Sequence, residues 1–258
     1  MSEHTLDSTP LAGKVALVTG GSRGLGRQMV RAFARAGADV AIVSRKLDAC
    51  EALAKEIEAD TGRRAVGFSC HMGEWDAQER LADLVQAEFG RIDILVNNAG
   101  IAPVYPSLSE VSEALYDKVF DVNTKGAFRL MAVIAPRMAA AGGGSIVNIS
   151  SIATKRPMPS ELPYAAAKSA LEIMTMGFAQ EYGPSVRVNA ILPGAFDTDI
   201  AAGWDPDVVA KEMSHLPAGR IGRPDEIVGA VLYLAGPSAN YTTGVLLPVD
   251  GGRTAMGR

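Results

Sequence analysis

The run Val15-Ala16-Leu17-Val18-Thr19-Gly20-Gly21-Ser22-Arg23-Gly24-Leu25-Gly26 decides how the rest of the chain is read. Five residues of strand character, 15–19, lead directly into a glycine-rich turn, and helical spacing follows over 27–36. Gly20, Gly24 and Gly26 are spaced to turn the chain and admit a pyrophosphate, which would meet backbone amides and the positive end of the helix. Glycines serve ordinary tight turns as well. Here they sit between a strand and a helix in a first βαβ unit, the context that marks a dinucleotide site, so Gly20, Ser22, Arg23, Gly24, Leu25 and Gly26 are candidate cofactor-binding residues.

Outward from this run, short apolar stretches alternate with longer stretches of helical period. Strands are predicted at 15–19, 40–44, 65–69, 94–97, 145–150, 186–192 and 245–249, and helices at 27–36, 47–60, 77–89, 111–140, 164–182 and 224–235. That alternation predicts an α/β Rossmann fold, a doubly wound seven-stranded parallel sheet with helices on both faces. No linker, repeat or low-complexity stretch interrupts it, so a disordered lead over 1–10 and one domain over 11–258 are expected. The segment 195–216 breaks the pattern with Gly203, Trp204, Asp205 and Pro206 and reads as a lid over a site.

Composition narrows the function classes. Of 258 residues 48% are hydrophobic and 21% charged, and no apolar run is long enough to span a bilayer, so no membrane association is expected. A net charge of -4 with mixed signs argues against nucleic acid as partner. The polar start lacks the regions of a signal peptide, which predicts a cytoplasmic protein. Cys50 and Cys70 are the only cysteines, with no CxxC and no histidine cluster, so neither a disulfide framework nor a metal site is expected.

The end of the second strand should meet the adenosine ribose. An acid there would accept from the 2′-hydroxyl of NAD, but the chain offers Ser44-Arg45-Lys46 and no acid before Asp48. That favours a 2′-phosphate held by Arg45 with help from Arg23, and thus NADP(H), with NAD(H) as the alternative.

Tyr164 and Lys168 stand four apart at the start of a predicted helix and project from one face. A tyrosine with its ordinary pKa of about 10 is a poor base, and a neighbouring ammonium would favour the phenolate. Ser151 follows the strand 145–150, at the carboxyl edge where α/β sheets place ligands. With Asn97-Asn98-Ala99-Gly100, Asn123 and Pro193-Gly194, these motifs resemble the short-chain dehydrogenase/reductase family, in family order and over nearly the whole chain.

The resemblance implies an NADP(H)-dependent oxidoreductase that interconverts a ketone and a secondary alcohol. It implies that Tyr164 is the general acid/base, Ser151 the hydroxyl orienting the substrate oxygen, and Lys168 the residue lowering the tyrosine pKa and holding the nicotinamide ribose. Asn123 is similar to the family's proton-relay asparagine. Asn97, Ala99 and Gly100 resemble the turn beside the adenine ribose, Pro193 and Gly194 the edge along the nicotinamide, and Thr198 the contact to the carboxamide. Where the family has an acid after the third strand, this chain has Cys70-His71-Met72, and His71 is read as a structural or surface residue. Family resemblance also implies a homotetramer and a substrate of the 3-oxoacyl thioester or sugar and polyol class. Pocket candidates are Ala153, Thr154, Met158, Glu161, Ala195 and Trp204. Lys155 and Arg156 read either as a pair that greets an anionic substrate or as solvated loop charges, and Glu161 either as an acceptor for a sugar hydroxyl or as a surface carboxylate.

Overall fold

The computed structural model describes residues 9–198 and 215–256. Seven strands, β1 (Val15–Thr19), β2 (Asp39–Ser44), β3 (Ala65–Ser69), β4 (Ile94–Asn97), β5 (Gly144–Ile149), β6 (Val186–Pro193) and β7 (Leu246–Val249), form one parallel sheet ordered β3-β2-β1-β4-β5-β6-β7. The order reverses direction between β1 and β4, so the turns leaving those two strands diverge and open a crevice at their carboxyl ends. This is the doubly wound sheet that the alternation predicts.

The helices are α1 (Gly24–Arg35), α2 (Leu47–Thr61), α3 (Trp75–Phe89), α4 (Glu113–Phe120), α5 (Gly126–Ala140), α6 (Leu162–Tyr182) and α7 (Val228–Ala235). Side chains alternate across each strand, which divides the core in two. Val18, Ile42 and Val96 pack with Met29 and Phe33 of α1, Ile57 of α2 and Val231 of α7 on one face. Leu17, Val43 and Leu95 pack with Leu81 of α3, Leu130 and Ile134 of α5 and Leu171 of α6 on the other. Helices α2 and α3 close on left-handed Gly62 and Gly90, exposed turns at the amino-terminal edge of the sheet with open space where a Cβ would stand. Among the described residues no helix is long and apolar enough to cross a membrane.

The predicted helix over 111–140 is in fact two. A π-turn, Asp121–Lys125, separates α4 from α5, with the apolar rhythm continuing across it, so the extra residue leaves no trace in the periodicity. Its position is set by Gly126, where a Cβ would lie 1.9 Å from the carbonyl oxygen of Met72. Smaller differences are at ends: α1 begins at Gly24 inside the glycine turn, α3 at Trp75 and α6 at Leu162, and β5 stops one residue short at Ile149. Most of the segment 195–216, including Trp204, lies outside the described residues.

Because the Met72 carbonyl must move to admit even a methyl group, Gly126→Ala is expected to lower unfolding stability by about 1–3 kcal/mol. Urea denaturation checks this: the midpoint falls while the slope stays constant, and an unchanged midpoint contradicts the close contact.

Candidate active site

The glycine turn is held against the turn after β4. Thr19 ends β1, and its hydroxyl donates to the Val96 carbonyl at 3.2 Å while accepting from Asn98 N at 3.0 Å and Ala99 N at 3.1 Å. The Asn98 amide donates to the carbonyls of Thr19 and Gly20 at 2.9 and 3.1 Å. Gly20 and Gly24 adopt left-handed φ of 63° and 52°, and at Gly26 a Cβ would lie 2.1 Å from the Gly20 carbonyl. Only glycines allow a backbone this close, and the space left over the start of α1 is a cradle that fits a pyrophosphate. Ser22 and Leu25 are half-buried in the turn, and Arg23, the residue preceding α1, is exposed.

At the end of β2 the Ser44 hydroxyl accepts from Lys46 N at 3.2 Å and from the Cys50 thiol at 3.1 Å, which turns the chain into α2. Arg45 and Lys46 then point outward. Their side chains make no ion pair among the described residues. His71 is exposed, its Nδ1 accepting from Gly73 N at 3.2 Å, in keeping with a surface role.

Asn97 goes elsewhere than the sequence suggests. Its side chain points under the sheet, 3% exposed, and its amide donates to Asn148 Oδ1 at 2.9 Å, while Asn148 Nδ2 donates to the Thr175 hydroxyl on α6. Alternation along β4 puts Asn97 on the face of Leu95, while Asn98 is the asparagine that grips the glycine turn. Gly100 is tight: a Cβ there would meet Asn123 Oδ1 at 2.7 Å and Lys168 Nζ at 3.4 Å. Asn123, in the π-turn and 1% exposed, accepts from Ile101 N at 3.0 Å and donates to the carbonyls of Ile101 and Val119 at 2.9 Å. Its side chain is thus a clamp on residues 100–101, engaged by backbone at three points.

Ser151, just past β5, opens a 3₁₀ turn, its hydroxyl accepting from Ala153 N at 3.1 Å. That hydroxyl stands near half-buried Tyr164 on α6. Lys168, one turn along α6 and 3% exposed, donates from Nζ to the Ile149 carbonyl at 2.7 Å and lies 5.8 Å from the centre of the Tyr164 ring. Burial pushes the Tyr164 phenol up to about 12, the Ser151 hydrogen bond working against it and the Glu161 carboxylate with it. The same burial brings Lys168 down to about 8. The sequence predicts a phenol drawn down by the ammonium; desolvation of both groups outweighs that attraction here, and the tyrosine stands as a protonated acid at neutral pH.

Opposite the glycine turn, Thr198 lies across the cleft from Gly24, whose Cβ would be 3.7 Å from that of Thr198. Pro193 ends β6, and Gly194 N donates to the Val249 carbonyl at 2.9 Å, with no room for a side chain beside Asp250. Lys155 pairs with Glu172 at 2.7 Å and Arg156 donates to the Met256 carbonyl. Ala153 is buried, Met158 is 49% exposed, and Glu161 is half-buried with its carboxyl raised by burial against the pull of Arg253. Sequence reasoning missed Thr19, Asn98 as a clamp, and Glu172. The signal for Glu172 was present, an acid four residues beyond Lys168 on the same helical face.

Comparison with known proteins identifies the family. The family described as Enoyl-(Acyl carrier protein) reductase matches residues 20–254. The chain is 38% identical to D-threitol dehydrogenase of Mycolicibacterium smegmatis, covering 95% of this chain and 94% of that one. It is 36% identical to 3-oxoacyl-[acyl-carrier-protein] reductase of Chlamydia muridarum, over 94% and 98% of the two chains. A solved Beutenbergia cavernae structure, named as an NAD(P) dependent gluconate 5-dehydrogenase with NADP bound at low occupancy, superposes with a TM-score of 0.91 at 36% identity, covering 96% and 100%. With the fold, the order of motifs and these likenesses in agreement, the chain belongs to the short-chain dehydrogenase/reductase family and is an NAD(P)-dependent oxidoreductase of ketones and alcohols.

Proposed function

We propose that the chain is an NADP(H)-dependent enzyme acting on a small, neutral ketone or secondary alcohol, with Tyr164 as general acid/base. The observation carrying this reading is the grouping of Ser151, Tyr164 and buried Lys168, at the sheet edge that also bears the glycine cradle. The nicotinamide supplies the hydride when bound. Ser151 and Tyr164 hydroxyls converge on one substrate oxygen, and in reduction Tyr164, protonated at neutral pH, gives it a proton. The Lys168 ammonium, fixed on the Ile149 carbonyl, stabilises the phenolate left behind, a charge that fades as pH rises through about 8. Asn123 acts as a positioning residue for the turn at Gly100.

Two readings of substrate are open to the family members above, and one observation favours the second. Lys155 and Arg156, the residues suited to an anionic acyl-carrier or phosphopantetheine group, are engaged inward with Glu172 and the Met256 carbonyl. A neutral carbonyl or polyol, the class acted on by the threitol relative, therefore fits better than a 3-oxoacyl thioester. Assembly as a homotetramer is supported by apolar side chains left in water on α5 and α6, Phe128 at 37%, Ile173 at 67% and Met176 at 40% exposed.

Tyr164→Phe keeps the ring and loses the proton, so turnover should fall about 10²- to 10⁴-fold with cofactor affinity retained. Steady-state kinetics of the purified variant decide this, and near-normal turnover would remove Tyr164 from the chemistry. For the cofactor, charge-assisted hydrogen bonds worth about 1.5–3 kcal/mol each predict NADPH binding at least about tenfold tighter than NADH, a preference that Arg45→Ala erases by weakening NADPH alone. Fluorescence titrations giving equal affinities for the wild type would sink the NADP(H) reading. Sedimentation at micromolar concentration should give a tetramer, and a stable monomer would contradict the assembly.

A further inference from the structure

The face of α6 that carries Tyr164 and Lys168 bears one more charged side chain a turn further on. Glu172 is 5% exposed, and among the described residues its carboxylate is used entirely on the segment around Ser151. Oε1 accepts from the Ser150 hydroxyl at 2.9 Å and from the Thr154 hydroxyl at 2.6 Å, and Oε2 pairs with Lys155 Nζ at 2.7 Å. Thr154 is tied back to Ser151 as well, its backbone N donating to the Ser151 carbonyl at 3.2 Å. One carboxylate thus grips the chain immediately before Ser151 and again three and four residues after it.

Burying a carboxylate is costly, and an apolar side chain packed at this position would hold helix to sheet at least as well. What an apolar side chain lacks is direction. Two hydroxyls and an ammonium converge on Glu172 from fixed angles, so the carboxylate dictates the path of residues 150–155 and not merely their proximity to α6. Lys168 does the same one residue earlier through the Ile149 carbonyl. Successive turns of the helix bearing Tyr164 therefore set the position of the strand end bearing Ser151.

We propose that Glu172 is a positioning residue, which keeps the Ser151 hydroxyl within hydrogen-bonding reach of Tyr164 by fixing the backbone on both sides of it. The proposal rests on the roles given above to Ser151 and Tyr164. Its distinguishing mark is that Glu172 acts through Ser151, so its effect must disappear once the Ser151 hydroxyl is gone.

Glu172→Ala, Glu172→Gln and Thr154→Val are made in the wild type and in Ser151→Ala, and kcat, KM, NADPH affinity and melting temperature are measured. Glu172→Ala should lower kcat about 10- to 100-fold, as ångström-scale misplacement of a reacting group does, with NADPH affinity unchanged. Glu172→Gln, which keeps an acceptor for Ser150 and Thr154, should recover most of that loss. In Ser151→Ala the same Glu172 substitution should cost less than about twofold. Equal losses in both backgrounds, or full kcat in a folded Glu172→Ala enzyme, overturn the proposal. Should Glu172→Ala not fold, Thr154→Val decides by the same cycle: a loss confined to enzyme bearing Ser151 supports it, and no loss or an equal loss overturns it. If Ser151→Ala itself turns over like the wild type, the underlying reading falls and takes the proposal with it. If Ser151→Ala is slow and the Glu172 variants are not, only the proposal falls.

Discussion

Two backbone turns from strands adjacent in the sheet and nearly eighty residues apart in sequence are pressed together in this molecule, and much of the site follows from that contact. The Thr19 hydroxyl and the Asn98 amide close the gap between them, and Gly20 and Gly26 are the residues that let it close. A side chain at Gly26 would displace the Gly20 carbonyl and with it the amides that face a phosphate. The same contact positions Ala99 and Gly100, which places Gly100 under Asn123 and beside Lys168. The glycine turn and the surroundings of Lys168 are therefore linked through one loop, 98–101.

Electrostatically the site depends on exclusion of water more than on attraction between its charges. Tyr164 and Lys168 are both shifted toward their neutral forms by burial, in opposite directions on the pH scale. At neutral pH the phenol is therefore protonated, and the ammonium keeps most of its charge.

The fold was legible because parallel strands buried on both faces announce themselves as continuous apolar runs, and β1, β3 and β4 were bounded as they are found. Ser151, Tyr164 and Lys168 were legible as a spaced motif, and the sheet edge does bring them together. The π-turn was hidden, since one added residue in a helix alters no composition and the apolar side chains resume on the far side. The orientation of Asn97 was hidden for a related reason: the motif names the turn, while the alternation of β4 sends Asn97 to Asn148 and leaves Asn98 to grip the glycine turn. Glu172 escaped notice because an acid on a helix reads as solvated until its three donors are seen converging on it.

The left-handed turns at Gly62 and Gly90 have open space around them and stand at the amino-terminal edge of the sheet, while the residues of the site stand at the carboxyl edge. A molecule with its chemistry on one rim has a blank reverse side. Fluorophores or surface tethers attached beside these turns, with both glycines kept, would be separated from the crevice by the length of the strands themselves, which makes the reverse rim the natural handle for immobilising the catalyst with its mouth facing solution.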